Sequence, residues 1–341
     1  MADYISYATA AVEALQGWYN NATGLWNSTQ WWNAANALEA VIDYSSLTRT
    51  NRYYGVIANT FEKNKHTNFL SNYYDDDGWW ALAWIKAYDL VRDARYLDMA
   101  KTIFAEITKG WDQVCGGGVW WRKDRHYKAA IANELFLTAA GRLYRRTRVD
   151  SYLTWAKKEW DWFQKSGLLN AQNLINDGLD DKCQNNGQIT WTYNQGVILG
   201  GLVEMYYIAP GGAAGSSNYL QIAQSIADAA ITTLVDQNGI LTEPCEKNGD
   251  CGIDGPQFKG IFMRNLAYLY RTLVQEKSDP SSSEQYKQFI ITNADSIWEK
   301  DRTSNNQFGL RWAGPVDKTD AARQTSALDT FNAAIVVTTS T

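Results

Sequence analysis

The chain has 341 residues, 45% of them hydrophobic and 20% charged, enough to bury a sizeable core as one large domain or two small ones. A net charge of −5 with no Lys- or Arg-dense run argues against nucleic acid or an anionic membrane as the partner. No apolar stretch approaches the roughly 20 residues a bilayer span needs, and 2 histidines (His66, His126) beside 16 Trp and 20 Tyr leave little room for a His-based zinc site or a nucleophile–His–acid triad, which favours carboxylate chemistry.

An apolar period near 3.6 predicts about twelve helices, over residues 4–19, 31–45, 51–64, 78–92, 95–109, 127–146, 150–166, 192–207, 217–235, 257–275, 282–298 and 320–337. Met1-Ala2-Asp3-Tyr4 runs straight into the first without a signal-peptide pattern, which reads as a mature chain with an added initiator methionine. Two glycosylation sequons, Asn21-Ala22-Thr23 and Asn27-Ser28-Thr29, follow it. Strand-like alternation is scarce, and Pro210, Pro244, Pro256, Pro280 and Pro315 fall between or at the edges of the helical segments, where helix breakers belong. Thr338-Thr339-Ser340-Thr341 reads as the start of a linker or anchor signal.

A weak repeat organises the helices. Tyr54, Tyr96, Tyr152 and Tyr219 each open a helix after a short polar connection, and Tyr286 is a fainter fifth copy. The expected architecture is all-α: six helical hairpins closed as an (α/α)6 toroid forming one domain over 1–341, with an open solenoid as the alternative. The inner helices would start near 31, 78, 127, 192, 257 and 320, converging their first turns on one face.

The residues at those starts carry the chemistry. Tyr74-Asp75-Asp76-Asp77-Gly78-Trp79-Trp80 sets carboxylates beside indoles. Glycoside cleavage uses two carboxyl groups flanking the scissile bond, and flat aromatic faces stack on sugar rings; alternatively, Asp77 simply caps a helix. Trp31, Trp79, Trp121 and Trp191 are candidate sugar platforms or core residues, whereas Trp80, Trp84 and Trp155 lie on apolar faces and read as packing. Asn133, Glu134, Tyr193, Asn194, Gln195 and Lys259 are candidate hydroxyl-binding groups, with Glu134 open to the alternative of an ion pair with Lys128 or Arg142. Asn176-Asp177-Gly178-Leu179-Asp180-Asp181 lacks the spacing and closing Glu of a calcium loop and reads as a loop braced by Cys183. No metal or cofactor is expected.

Four cysteines show no zinc spacing. Cys245 and Cys251 bracket a polar turn and are expected to pair, leaving Cys115 for Cys183. The even count and layout point to an oxidising compartment.

These residues resemble glycoside hydrolase family 76, the endo-α-1,6-mannanases and their fungal cell-wall relatives, across essentially the whole chain. The most specific element is the Tyr-Asp-Asp run with Trp79-Trp80, followed by Ala87-Tyr88-Asp89-Leu90, Tyr96-Leu97-Asp98-Met99-Ala100-Lys101, Gly116-Gly117-Gly118-Val119-Trp120-Trp121, Thr192-Tyr193-Asn194-Gln195-Gly196 and Phe258-Lys259-Gly260-Ile261-Phe262; Cys115-Gly116-Gly117-Gly118 and Ala132-Asn133-Glu134-Leu135-Phe136 are similar to secreted fungal members. The resemblance implies the (α/α)6 fold, a retaining mechanism with Asp75 as nucleophile and Asp76 as acid/base, α-1,6-mannan as substrate, and a secreted or wall-associated protein, expected to be monomeric. Cell-wall transglycosylation is the near alternative. A terpene-cyclase-like Asp-rich enzyme, against which Tyr193-Asn194-Gln195 and the lack of a second Asp-rich metal motif both count, and a non-catalytic carbohydrate-binding role are the distant ones.

Overall fold

The computed structural model describes residues 2–209, 213–249 and 251–339, without the side chains of 213–217. Met1, Pro210 and the terminal Ser340-Thr341 lie outside them. Twelve α-helices are present among the described residues: α1 (Tyr4–Gln16), α2 (Trp31–Thr48), α3 (Tyr54–Asn64), α4 (Tyr74–Val91), α5 (Ala94–Thr108), α6 (Ala130–Thr147), α7 (Asp150–Phe163), α8 (Thr192–Ile208), α9 (Ala213–Thr233), α10 (Phe258–Glu276), α11 (Pro280–Lys300) and α12 (Ala321–Thr339). Two-residue strands β1 (Tyr19–Asn20) and β2 (Leu25–Trp26) form an antiparallel ribbon. The chain divides into two compact units, one of residues 1–65 and 230–341 and the other of residues 66–229.

In the second unit α4, α6 and α8 are buried nearly all round, whereas α5 buries one stripe, Tyr96, Leu97, Ala100, Ile103, Phe104 and Ile107, at the spacing of an amphipathic surface helix. α4 meets α6 where Gly78 lies against Leu135; a β-carbon added there would come within 2.8 Å of the leucine's own. The far halves of these helices are tied by charge: Arg146 of α6 pairs with Asp89 of α4, and Arg142 and Arg145 reach Glu204 of α8 at 3.6 and 3.1 Å. The repeated tyrosines anchor outer helices to their neighbours. Tyr96 stacks on Trp84, and Tyr152 and Tyr219 meet Phe104 and Trp160 edge-on.

A second recurrence is legible only in the backbone. α2, α4, α6 and α10 each end on a basic residue in the left-handed conformation, Arg49, Arg92, Arg148 and Lys277. The left-handed residue closes the helix and reverses the chain within a few residues, while the cation sits favourably at the negative end of the helix dipole.

In the first unit α12 packs against α1, α2, α10 and α11. Arg264 of α10 is buried there and reaches Glu39 of α2 at 2.7 Å, Asn36 at 2.5 Å and Asp329 of α12 at 3.6 Å. Tyr7 stacks on Trp298 at 3.9 Å, with Phe331 edge-on beside both. Both expected disulfides, Cys115–Cys183 and Cys245–Cys251, are formed.

Candidate active site

The expected helix start at residue 78 is corrected to Tyr74, so Asp75, Asp76 and Asp77 lie inside the first turns of α4. An extended Tyr73 precedes the helix, and the Tyr74 amide donates to the Trp121 carbonyl at 2.8 Å. Acidic side chains at this end are stabilised by the unpaired amides and the dipole. Asp77 does not cap the helix. It is wholly buried, accepts from the Ser71 amide at 2.7 Å and faces Lys123 at 3.7 Å, so it pins the preceding loop.

Asp75 and Asp76 are only partly buried. The Trp121 indole donates to Asp75 Oδ2 at 3.0 Å, while Asp75 Oδ1 is buried with no hydrogen-bond partner among the described residues. Asp76 Oδ2 lies 3.0 Å from the Ser71 hydroxyl, which is itself 3.2 Å from the Tyr73 carbonyl. Burial first, and the neighbouring Asp76 charge second, raise the Asp75 carboxyl well above the usual carboxylate range, opposed by the Trp121 N–H. Two adjacent carboxyls in this setting resist full ionisation and hold a proton between them.

The loop carrying Trp121 is held by five restraints. The Trp121 amide donates to the Tyr127 carbonyl at 2.8 Å. Gly118, at φ +87°, lets the backbone lie on the Trp162 ring, which any side chain would strike. Lys128 buries its ammonium against Asp112 and the carbonyls of Val114, Gly117 and Gly118, and the Cys115–Cys183 disulfide ties the loop to 183. Asn133, expected to bind hydroxyls, is instead a clamp: its amide pairs with both the N–H and the C=O of Val119, and with the Ala129 carbonyl.

Other expectations are corrected in the same way. Gln195 is buried and spent on the N–H and C=O of Ile175 and the Trp191 carbonyl. Lys259, in the other unit, is buried on Glu246 and the Leu310 carbonyl. Trp79 is 2% exposed and stacks on Tyr193, so it supports the site from within. Trp80 and Trp84 are fully buried, as read from their apolar faces, and Trp155 packs edge-on against Phe136 and Trp111. Trp31, at the head of α2 in the first unit, and Trp121, Trp191 and Tyr193 remain partly exposed.

Glu134 pairs with neither expected partner, since Lys128 is taken by Asp112 and Arg142 meets Glu204. Both its oxygens, and both polar atoms of Asn194, are buried without a hydrogen-bond partner among the described residues. Tyr127 and Asp177 were missed as site residues. The Tyr127 hydroxyl donates to Asp177 at 2.5 Å, Trp191 also donates to Asp177, and the Tyr127 ring meets Trp121 edge-on. Only their distant partners reveal this, because residues 176–181 read locally as a polar loop; Asp180 indeed caps its own turn by accepting from the amides of Lys182 and Gln184.

Asp77 has a measurable consequence. Burial pushes its carboxyl up to about 7, so folded protein binds its proton more tightly than unfolded chain does. Stability from this group is therefore present at low pH and lost as pH rises from about 4 through about 7, by no more than about 4 kcal/mol. Replacing Asp77 by Asn keeps an acceptor for the Ser71 amide and should flatten the fall in melting temperature between pH 5 and 7.5; an unchanged slope would refute the assignment.

Residues 5–341 match the family pattern of Glycosyl hydrolase family 76. The chain is 26% identical over 263 residues to the mannan endo-1,6-alpha-mannosidase DCW1 of Candida albicans, covering 69% of this chain and 57% of that protein. It is 25% identical over 321 residues to DFG5 of Saccharomyces cerevisiae, named a mannan endo-1,6-alpha-mannosidase, covering 86% and 68%. Two Schizosaccharomyces pombe relatives are spanned over only 64% and 58% of their length. Among solved structures, an inactive variant of the alpha-1,6-mannanase GH76A of Salegentibacter sp. HEL1_6, with two successive aspartates replaced and alpha-1,6-mannotetrose bound, superposes with a TM-score of 0.85 at 24% identity, covering 98% of this chain and 100% of that one. The likeness assigns the fold class: all-α, of the α/α-toroid type.

Proposed function

The chain belongs to glycosyl hydrolase family 76, and from that premise we propose that it is a retaining endo-α-1,6-mannosidase acting on the α-1,6-linked backbone of fungal or yeast cell-wall mannan, with residues 1–341 working as one catalytic domain. The carrying observation is the Asp75–Asp76 pair at the head of α4, with one Asp75 oxygen bound by an indole N–H and the other left without a partner. The names of the relatives and the mannotetrose bound to the Salegentibacter enzyme point to the substrate.

The hydrogen bonds are compatible with the division of labour proposed here. An indole N–H only donates, so the Trp121 bond supports the anionic form of Asp75 against the burial and the Asp76 charge that favour its protonated form. The Ser71 hydroxyl both donates and accepts. It donates to an anionic Asp76 and can rotate to accept from a protonated one, which suits a group that gives up and takes back a proton. Asp76 then protonates the leaving glycosidic oxygen as Asp75 Oδ1 attacks the anomeric carbon, giving a mannosyl ester; water deprotonated by Asp76 releases the sugar with retained configuration. Trp121, Trp191, Tyr193, Glu134 and Asn194 are proposed to contact the sugar, with Asn133, Gln195 and Trp79 placing them. The protein acts as a secreted or wall-associated monomer, a setting consistent with its two disulfides; no helix among the described residues is long and apolar enough to cross a membrane.

Incubation with linear α-1,6-mannan should yield a falling distribution of oligosaccharide sizes, unaffected by EDTA. Intact polymer, or release of monosaccharide alone, would overturn the endo-mannosidase reading.

A further inference from the structure

Glu134 sits on α6 between two tight helix contacts: its neighbour Leu135 meets Gly78 of α4, and Leu137 and Thr138 meet Gly201 of α8. It is fully buried, and neither oxygen has a hydrogen-bond partner among the described residues. Asn194, in the first turn of α8, is in the same condition at both polar atoms. Together with Asp75 Oδ1 on α4, three successive inner helices thus bring unpartnered polar atoms into their first two turns. Their chain neighbours are in contact, Leu135 with Gly78 of α4 and Tyr193 stacked on Trp79, and a chain of contacts runs from Asp75 through Trp121 and Tyr127 to Asp177, whose charge acts on Glu134. A buried polar group without a partner is destabilising, so three of them on adjoining helices call for a common explanation.

We propose that Glu134 and Asn194 form the uncharged polar floor of the sugar site beside Asp75, with Glu134 acting as a neutral carboxylic acid that donates its O–H to one sugar oxygen and accepts from a neighbouring hydroxyl. Burial first, and the charge of Asp177 second, keep the Glu134 carboxyl well above the usual range. A neutral acid offers one donor and one acceptor side by side. It therefore selects a sugar with adjacent hydroxyls over a cationic or anionic ring, and it serves as a positioning and specificity residue without entering the proton transfers.

This inference rests on the mannosidase reading, and its test separates the two. Failure of the wild-type protein to cut linear α-1,6-mannan sinks that reading; the Glu134 variants are compared only against wild-type turnover. Glu134→Gln keeps a donor and an acceptor and should retain kcat/KM within about fivefold with an unshifted pH profile. Glu134→Leu and Asn194→Leu should each lose at least about tenfold in kcat/KM, mostly through KM, because sugar hydroxyls are left unpaired. Melting temperatures should be equal to or above wild type in both Glu134 variants, since an unpartnered buried carboxyl is removed. If Glu134→Gln loses as much as Glu134→Leu, the group acts as a carboxylate and the proposal is wrong. It is equally wrong if Glu134→Leu cuts normally, or if Glu134→Gln unfolds at markedly lower temperature. Should Glu134→Leu fail to fold, Glu134→Met takes its place in the kinetic comparison.

Discussion

Asp75→Asn and Asp76→Asn should each remove at least about 10³-fold of mannan hydrolysis, while Asp77→Asn keeps substantial activity. Without Asp75 no ester forms; without Asp76 the leaving oxygen departs unprotonated. The two losses differ in kind. Substrates with activated leaving groups should restore the first step only in Asp76→Asn, where ester then accumulates because its hydrolysis still lacks a base. Proton NMR should show α-configured product first. Asp77 is spared because its contacts are the Ser71 amide and Lys123, and an amide replaces the first of these isosterically. A dead Asp77→Asn beside a working Asp75→Asn, or β-product appearing first, would overturn these roles.

Replacing Arg264 by Leu should destabilise the protein by about 3–5 kcal/mol, lowering the melting temperature by roughly 4–7 °C in a chain of this length. Its guanidinium is buried among Glu39, Asp329 and Asn36, on three helices that meet in the first unit. Deleting it leaves two carboxylates buried without their countercharge, which costs far more than the ion pairs contribute net. The exposed pair of Arg52 with Glu13 is the internal control: Arg52→Ala should cost less than about 1 kcal/mol, because solvent screens it and side-chain entropy offsets the attraction. Thermal unfolding of both variants decides the matter. Equal, small losses would show that water reaches the Arg264 cluster.

The helices were legible because burial imposes a period on a helix whatever its neighbours are. The misplaced starts of α4 and α6 share one cause. Tyr74 begins its helix by donating to the distant Trp121 carbonyl, and Ala130 likewise donates to the Asp177 carbonyl. Apolar periodicity carries no trace of either contact. The left-handed Arg49, Arg92, Arg148 and Lys277 were missed for another reason: helix ends of this type are ordinarily marked by glycine or asparagine.

By itself, the sequence determined the helical class, the number and order of the helices, the pairing of the four cysteines and the acid pair with its indoles, because each is written in spacing along the chain. Only the tertiary structure decided which polar side chains are spent and which are held open. Asn133, Gln195 and Lys259 look like Asn194 and Glu134 in sequence, yet the first three are consumed by backbone partners 14, 20 and 51 residues away. Glu134 and Asn194 meet none among the described residues. A hydrogen bond is made or withheld by where the fold brings a distant carbonyl or amide, and residue type cannot encode that distance.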